Sequence, residues 1–328
     1  MDPYLKFLGL VALLFLLPKT LVRLGLPSPV TEIGLGVAFS LAGLSSLGDS
    51  EIVRVLSGIG ISSLFLFAGM EVEVPELLKR RWPLLQHLGI QILLFILAAA
   101  VARRAGLASA AAALVGVAVM TPSAGFIIPA LEAFGLAATS ASWIKQKAIA
   151  TEIFAIAAVL VFSNSATREA LLLGAGGVLL LIALLPLAFV AFHLGIRRGS
   201  PRTELSFVMV VALFAAYLTH HLGVHYMVGA FVVGLAARRY LDWGSSRGAN
   251  LASVFSALST LRFFSSFFVP FYFFSAGLHL PAEAVSWPAL LLLLLLGATA
   301  IPLRIGAVML HRRVTLGEPW VEARDVGL

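Results

Sequence analysis

The sequence contains no cysteine, which excludes disulfides, thiolate metal sites and thiol nucleophiles. It also has little charge, because only 12% of its residues are Asp, Glu, Lys or Arg, about half the share found in soluble domains. Apolar stretches able to cross a hydrocarbon core of about 30 Å recur along the whole chain and leave no room for a soluble domain. With 60% hydrophobic residues and a mean hydropathy of +1.01, residues 1–328 are predicted to form one all-α, polytopic membrane domain.

The motifs of enzymes and cofactor sites are missing as well. The sequence has no HExxH, no GxSxG and no nucleotide-binding glycine fingerprint, so neither an enzyme active site nor a metal or cofactor is expected. The net charge of +7 does not indicate a nucleic-acid partner, because Lys and Arg are scattered in short doublets. Basic loops on one face of a membrane explain this pattern better.

Hydropathy predicts about eleven membrane spans. They are expected at residues 4–25, 28–45, 52–71, 82–102, 107–133, 142–164, 170–196, 204–222, 225–240, 260–280 and 285–311. Threading the chain through these spans puts most Lys and Arg residues on one side, which the positive-inside rule makes cytoplasmic. The prediction is a multi-pass protein of the cell (plasma or inner) membrane with an external amino terminus.

A weak internal repeat relates the first and last thirds of the chain. Its copies lie seven spans apart, an odd number, so they run in opposite directions as in the inverted repeats of secondary transporters. We therefore predict a first repeat over about 4–164, a linker helix at 170–196 and a partial second repeat over 204–328. The matching pairs are LPSPVTEIGLGVA from Leu26 with LGVHYMVGAFVVGLA from Leu222, FLFAGMEVEVP from Phe65 with YFFSAGLHLP from Tyr272, and Trp82-Pro83 with Trp287-Pro288.

Glu152 is the most informative residue for function, since it lies near the middle of a span that is otherwise apolar from Ala148 onward. A carboxylate at that depth costs about 2.5–3.5 kcal/mol on insertion scales, so such residues usually face a cavity, a partner or an ion path. The preceding span contains Thr121-Pro122-Ser123-Ala124-Gly125, which predicts a break in the helix at membrane depth.

These two spans together predict an ion site. Glu152, Thr151, Thr121 and Ser123 supply the oxygen ligands that a hard monovalent cation prefers. A half-buried carboxylate can hold either a proton or a cation, and this competition is sufficient for exchange. Two alternatives stay open: the break is a packing kink repaired by hydroxyl groups, or Glu152 is paired structurally with Arg304 or Lys147.

Other ionisable residues are weaker candidates. Arg304 lies about two turns inside the last span, where it can reach inward as an electrostatic partner or extend to the interface. Glu32 lies in the second span, and Glu71 belongs most simply to the charged inner loop with Lys79–Arg81. A histidine cluster at the external end of spans eight and nine is either an ordinary interfacial cluster or a pH or metal sensor; it comprises His220, His221 and His225.

The ordered motifs resemble those of the monovalent cation:proton antiporter-2 family. The similarity covers nearly the whole chain and rests on LPSPVTEIGLG, FLFAGMEVEV, TPSAGF followed by ALEAFGL, the Glu152 helix, GAFVVGLAARR and FFVPFYFFSAGLHL. The resemblance implies thirteen helices, with a dimerisation half and a mobile core built on two crossing, discontinuous helices. About eleven of the thirteen spans are present, so either the chain is truncated after Leu328, which its loop-like ending favours, or the protein has lost two helices.

The resemblance also implies roles for particular residues. In that family an acidic or polar-acidic pair on the sixth helix binds the ion, and Thr151-Glu152 stands at this position, although most members carry Asp. A basic residue of the family, often Lys, matches Arg304. The implied function is secondary active exchange of protons for Na⁺ or K⁺ in a homodimer, without ATP. Because Arg304 cannot release its proton, the exchange is expected to be electroneutral.

Two other functions are compatible with the same features. A sodium-coupled symporter of organic anions would need a polar substrate cavity, for which few Ser, Thr and Asn residues are available. A ligand-gated potassium efflux channel, or a regulatory homologue without transport, would fit a chain that lacks the second crossing helix. The sequence does not separate Na⁺ from K⁺ or Li⁺, since that choice depends on the size of the site and its number of oxygen ligands.

Overall fold

The structure is a computed structural model. It describes residues 3–44, 50–121, 127, 138–163, 168–195, 201–245, 251–281, 285–315, 317 and 319–320. Within these ranges the chain forms twelve helices. They are α1 (Pro3–Val22), α2 (Ser28–Leu41), α3 (Glu51–Met70), α4 (Val74–Lys79), α5 (Arg81–Arg104), α6 (Ser109–Met120), α7 (Ala138–Ser163), α8 (Arg168–Gly195), α9 (Pro201–His221), α10 (Tyr226–Ser245), α11 (Leu251–Leu278) and α12 (Trp287–Thr315).

A helix overlaps each predicted span, and the all-helical prediction is confirmed for the described residues. The part of the fifth span after Thr121 lies, apart from residue 127, outside those residues. Six helices of the described chain are long and apolar enough to cross a membrane, and three shorter ones are also apolar. The structure adds α4, a six-residue helix that begins at Val74-Pro75, where proline is tolerated in the first turn. Helix α11 begins at Leu251, nine residues before the predicted boundary at 260.

The helices pack in two groups. The larger group, here the large bundle, contains α1, α2, α3, α8, α9, α10 and α11; its main packing partners are α3 with α10 and α11, α2 with α11, and α9 with α10. The second group, the small bundle, contains α5, α6, α7 and α12, with α5 packed against the other three.

Two close helix crossings hold the large bundle together, and both depend on glycine. At the crossing of α3 and α10, a Cβ added to Gly234 would lie 2.1 Å from the carbonyl oxygen of Leu66 and 3.0 Å from the Cα of Gly69. At the crossing of α2 and α11, a Cβ on Gly36 would lie 2.1 Å from the carbonyl oxygen of Phe274. Only residues without a Cβ allow backbones to approach so closely.

An apolar cluster joins the two bundles along α7. It brings Ala148, Ile149 and Ile156 of α7 against side chains of α3 and α10. The partners from the large bundle are Ala68, Val72, Val228 and Phe231, with Val224 just before α10. Helix α7, which carries Glu152, therefore has one face against the large bundle while α5 and α6 pack on it from the small bundle.

Candidate functional site

The predicted break in the fifth span begins where expected. Helix α6 ends at Met120, and Thr121 has extended backbone angles (φ −93°, ψ 113°). The cause is local, because Pro122 disfavours the helical conformation for the residue before it. The Thr121 hydroxyl donates to the carbonyl oxygen of Val117 at 2.8 Å. Ser123, the other candidate from this segment, lies outside the described residues.

Helix α7 carries Thr151 and Glu152 in its middle. Thr151 is completely buried (0% exposed), and its hydroxyl donates to the carbonyl oxygen of Lys147 at 2.9 Å. This bond satisfies the hydroxyl hydrogen within the helix, so the oxygen lone pairs remain able to accept. Glu152 is half-buried. Adjacent residues of a helix point about 100° apart, so the hydroxyl and the carboxylate leave α7 in different directions.

A buried histidine faces Thr151 from α5. The Nε2 atom of His87 lies 3.5 Å from Thr151 Oγ1 and also 3.5 Å from Nε2 of Gln91, one turn along the same helix. His87 is 2% exposed and Gln91 1%. Among the residues that the structure describes, His87 Nδ1 and Gln91 Oε1 have no hydrogen-bond partner. Gln91 thus adds a buried amide oxygen on the same face of α5 as His87.

Sequence reasoning missed His87 and Gln91. The available signal was two polar side chains spaced i, i+4 in a span that is otherwise largely apolar, which places both on one helix face. Polar side chains within membrane helices usually face other helices. The spacing alone therefore indicated a polar contact, although not its partner.

Basic side chains of α7 and α12 also lie near His87. Those that act on it electrostatically are Lys147 of α7 and His311 and Arg304 of α12. The rings of His87 and His311 are 6.1 Å apart between centroids, and Lys147 Nζ lies 5.9 Å from the centroid of the Trp143 ring. Arg304 therefore lies within electrostatic reach of His87, the side chain of α5 that faces Thr151.

The two weaker acidic candidates lie elsewhere. Glu32 belongs to α2, which packs against α1 and α11 in the large bundle; it is 4% exposed, and within the described part of the chain its Oε2 atom has no hydrogen-bond partner. Glu71 caps α3, and its Oε2 atom lies 3.8 Å from Lys145 Nζ. Lys79, which was expected near Glu71, pairs with Glu76 instead.

Buried polar side chains within long apolar helices define a polytopic membrane protein with a polar site between its helices. The chain belongs to the sodium/hydrogen exchanger family, whose transmembrane region matches residues 9–328. Among curated proteins it is similar to the Na⁺/H⁺ antiporter NhaS5 of Synechocystis sp., with 26% identity over 336 residues. That alignment covers 98% of this chain and 46% of the relative, so the chain spans about half the relative's length.

A solved structure shows the same fold. The sodium proton antiporter MjNhaP1 from Methanocaldococcus jannaschii superimposes with a TM-score of 0.70 over 99% of this chain and 82% of its own. The two sequences are 14% identical. The likeness therefore concerns the arrangement of the helices, and it supports the all-helical membrane fold expected from the sequence.

Proposed function

We propose that this chain forms the transport unit of a secondary antiporter that exchanges protons for a monovalent cation, Na⁺ or K⁺. The observation that carries the proposal is the pair on α7: the half-buried carboxylate of Glu152 beside the fully buried hydroxyl of Thr151. Membership of the sodium/hydrogen exchanger family supports the same function, as does the antiporter activity named for the relative from Synechocystis.

Exchange follows from competition for one carboxylate. A proton on Glu152 removes the negative charge that a cation needs, and a bound cation excludes the proton. The cation's remaining ligands are oxygens: Thr151, Thr121 and Ser123 from the predicted set, and the amide oxygen of Gln91, whose Nε2 atom contacts the His87 ring that faces Thr151. Oxygen ligands of this kind suit hard cations.

The proposed cycle moves one proton per cation and is electroneutral. Arg304 stays charged throughout, because a guanidinium does not release its proton in a protein. Lys147, by contrast, is a buried amine close to His87. In sealed vesicles an imposed membrane potential is expected to leave the exchange rate unchanged. A marked dependence on potential would contradict the proposal and identify Lys147 as the second proton carrier to test.

We further propose an inverted repeat that relates the two halves of the chain, with alternating access between the bundles. The two glycine crossings support the repeat. Gly69 and Gly277 occupy matching positions in the FLFAGM and YFFSAGL segments, and each meets the backbone of a helix from the other repeat, at Phe231 on α10 and at Ile33 on α2. The proposal also includes membership of the antiporter-2 subfamily, assembly as a homodimer, and a location in the plasma membrane with an external amino terminus.

The test is cation-dependent proton movement in proteoliposomes that contain a pH-sensitive dye and the full-length protein. Wild type, Glu152→Gln and Glu152→Asp are compared with Na⁺, K⁺ and Li⁺. Dye recovery is expected in wild type, loss of recovery in Glu152→Gln, and partial recovery in Glu152→Asp, which keeps the charge. Glu76→Gln, at an exposed ion pair on α4, is the matched control and should behave as wild type. Undiminished recovery in Glu152→Gln would overturn the assignment of this carboxylate.

A further inference from the structure

A cavity of about 620 Å³ lies in the large bundle, away from the Thr151 site. It is formed where α3 and α10 begin and where α9 and α11 end. Its volume falls within the range of about 300–1,000 Å³ that is usual for small-molecule sites. The topology proposed above places this opening on the outer surface of the membrane.

The charged lining of the cavity is entirely basic. Arg54 comes from α3, His220 from the end of α9, and His279 from the residue after α11, whereas none of the described lining residues is Asp or Glu. Three separate helices thus bring a guanidinium and two imidazoles to one space. Hydroxyl groups add neutral donors; they belong to Ser57, Ser62, Ser275, Tyr217 and Tyr226. A space lined in this way favours an anion with several acceptor oxygens.

The local geometry orients one of the imidazoles. His279 Nδ1 lies 2.7 Å from the carbonyl oxygen of Ser275, so Nδ1 carries the hydrogen and donates it to the backbone. Only Nε2 is then left for a ligand, and it donates to an anion when the ring is protonated. The ring of His220 stands 6.1 Å from that of Tyr226, centroid to centroid. Arg54 supplies a permanent charge, with the paired donors that fit phosphate oxygens.

The cavity continues into an apolar surface. Two of its lining side chains are largely exposed, Val55 at 53% and Tyr217 at 61%. Phe214 and Val210 continue the exposed stripe along α9 from Tyr217. In a protein that spans a membrane this stripe faces acyl chains or another subunit. A basic cavity beside an apolar stripe matches a ligand with a charged head and a hydrocarbon tail.

We propose that this cavity binds a phosphate-bearing anion, with Arg54, His220 and His279 around the phosphate, and that the phosphate is carried by an anionic phospholipid whose acyl chain lies along Tyr217, Phe214 and Val210. The site is independent of the Glu152 carboxylate, so its test does not depend on the transport assay.

The experiment is native mass spectrometry of the purified full-length protein in detergent with added phosphatidylglycerol. Wild type is expected to retain the lipid at about tenfold lower lipid concentration than the Arg54→Gln/His279→Gln double variant. Arg54→Lys, which keeps the charge, should stay within a few-fold of wild type. Arg104→Gln, an exposed arginine at the end of α5, is the control and should match wild type. Thermal melting of each variant shows that it is folded.

A second arm separates the two sources of phosphate. Inorganic phosphate is titrated against the same variants while the melting temperature is recorded. If the phosphate-induced shift in melting temperature requires Arg54 but lipid retention does not, the result supports the phosphate site. It then assigns the site to a free anion rather than to a lipid. Equal lipid retention and equal phosphate response in wild type and in the folded double variant would overturn the proposal.

Discussion

The ammonium nitrogen of Lys145 on α7 lies 3.8 Å from Oε2 of Glu71 at the end of α3, and 3.8 Å from Oε1 of Glu73 two residues further on. Arg238 of α10 approaches the same Glu73 oxygen to 3.7 Å. The Lys145 pairs join the small and large bundles next to the apolar cluster on α7, whereas the Arg238 pair joins α10 to the segment after α3. The Glu71 side chain is 8% exposed and the Glu73 side chain 43%, so water screens the pairs of Glu73 more strongly than the pair of Glu71.

Removal of Lys145 is expected to destabilise the protein through Glu71. A buried carboxylate that loses a cationic partner costs about 1–3 kcal/mol, whereas an exposed pair contributes at most about 1 kcal/mol. Lys145→Met should therefore lower the melting temperature in detergent more than Glu73→Gln does. In the Lys145→Met/Glu71→Gln double variant the loss should be smaller than the sum of the single losses. Strict additivity would show that the two side chains do not interact.

Substitution of the glycines at the helix crossings should be severely destabilising. A Cβ at Gly234 or Gly277 would lie 2.1 Å from a backbone carbonyl oxygen, of Leu66 and of Ile33 respectively. Gly234→Ala and Gly277→Ala are therefore expected to reduce the yield of folded protein, with losses of more than about 3 kcal/mol. Gly89→Ala in α5 is the control, because nothing lies within 4 Å of its added Cβ. It should be neutral or stabilise by up to about 1 kcal/mol. A normal melting temperature for Gly234→Ala would contradict the described crossing.

His87 is expected to affect cation binding more than folding. Its Nε2 atom faces Thr151 Oγ1 at 3.5 Å, so replacement changes the polar surroundings of the proposed ion site. His87→Gln replaces the imidazole ring with an amide. It should raise the cation KM about tenfold, the equivalent of about 1.4 kcal/mol. The maximal exchange rate should change less. His221→Gln, at an exposed position on α9, should leave both parameters at wild-type values. An unchanged KM for His87→Gln would place the cation away from α5.

His225, between α9 and α10, is expected to make the protein less stable in acid. Burial lowers the pKa of the His225 imidazole, and its electrostatic interaction with His220 lowers it further. The Met227 N–H donates to His225 Nδ1 at 3.4 Å. Below about pH 6.5, the ordinary value, the unfolded chain takes up a proton that the folded protein resists, so stability falls as the pH falls. The melting temperature should decrease less from pH 7.5 to 5.5 in His225→Gln than in wild type or in His221→Gln. Equal decreases would exclude this role.

Features whose signal is local can be predicted from the sequence. A carboxylate in an apolar stretch marks Glu152 as the candidate ion ligand, which stays a prediction, and Pro122 accounts for the end of α6 at Met120 through its effect on Thr121. His87 and Gln91 were missed because His and Gln alter the hydropathy of a long window only slightly. Their importance comes from α7 packing on α5, a contact between residues 64 positions apart.

The predicted ends of the helices are less accurate than their positions. Residues 251–259 (LASVFSALS) are uncharged and largely apolar, and α11 begins at Leu251, so the predicted boundary at 260 was nine residues too late. Helix α4 was missed because it is too short for apolar periodicity to reveal it, since six residues make fewer than two turns.

The glycine crossings have a mechanical consequence. Where Gly36 meets the backbone of α11 and Gly234 meets that of α3, no layer of side chains separates the helices, so no rotamer change can let one slide past the other. The large bundle should therefore behave as a stiff scaffold during transport. Displacement is expected at the surface of α7, where side chains of ordinary size form the contact and can exchange partners one at a time.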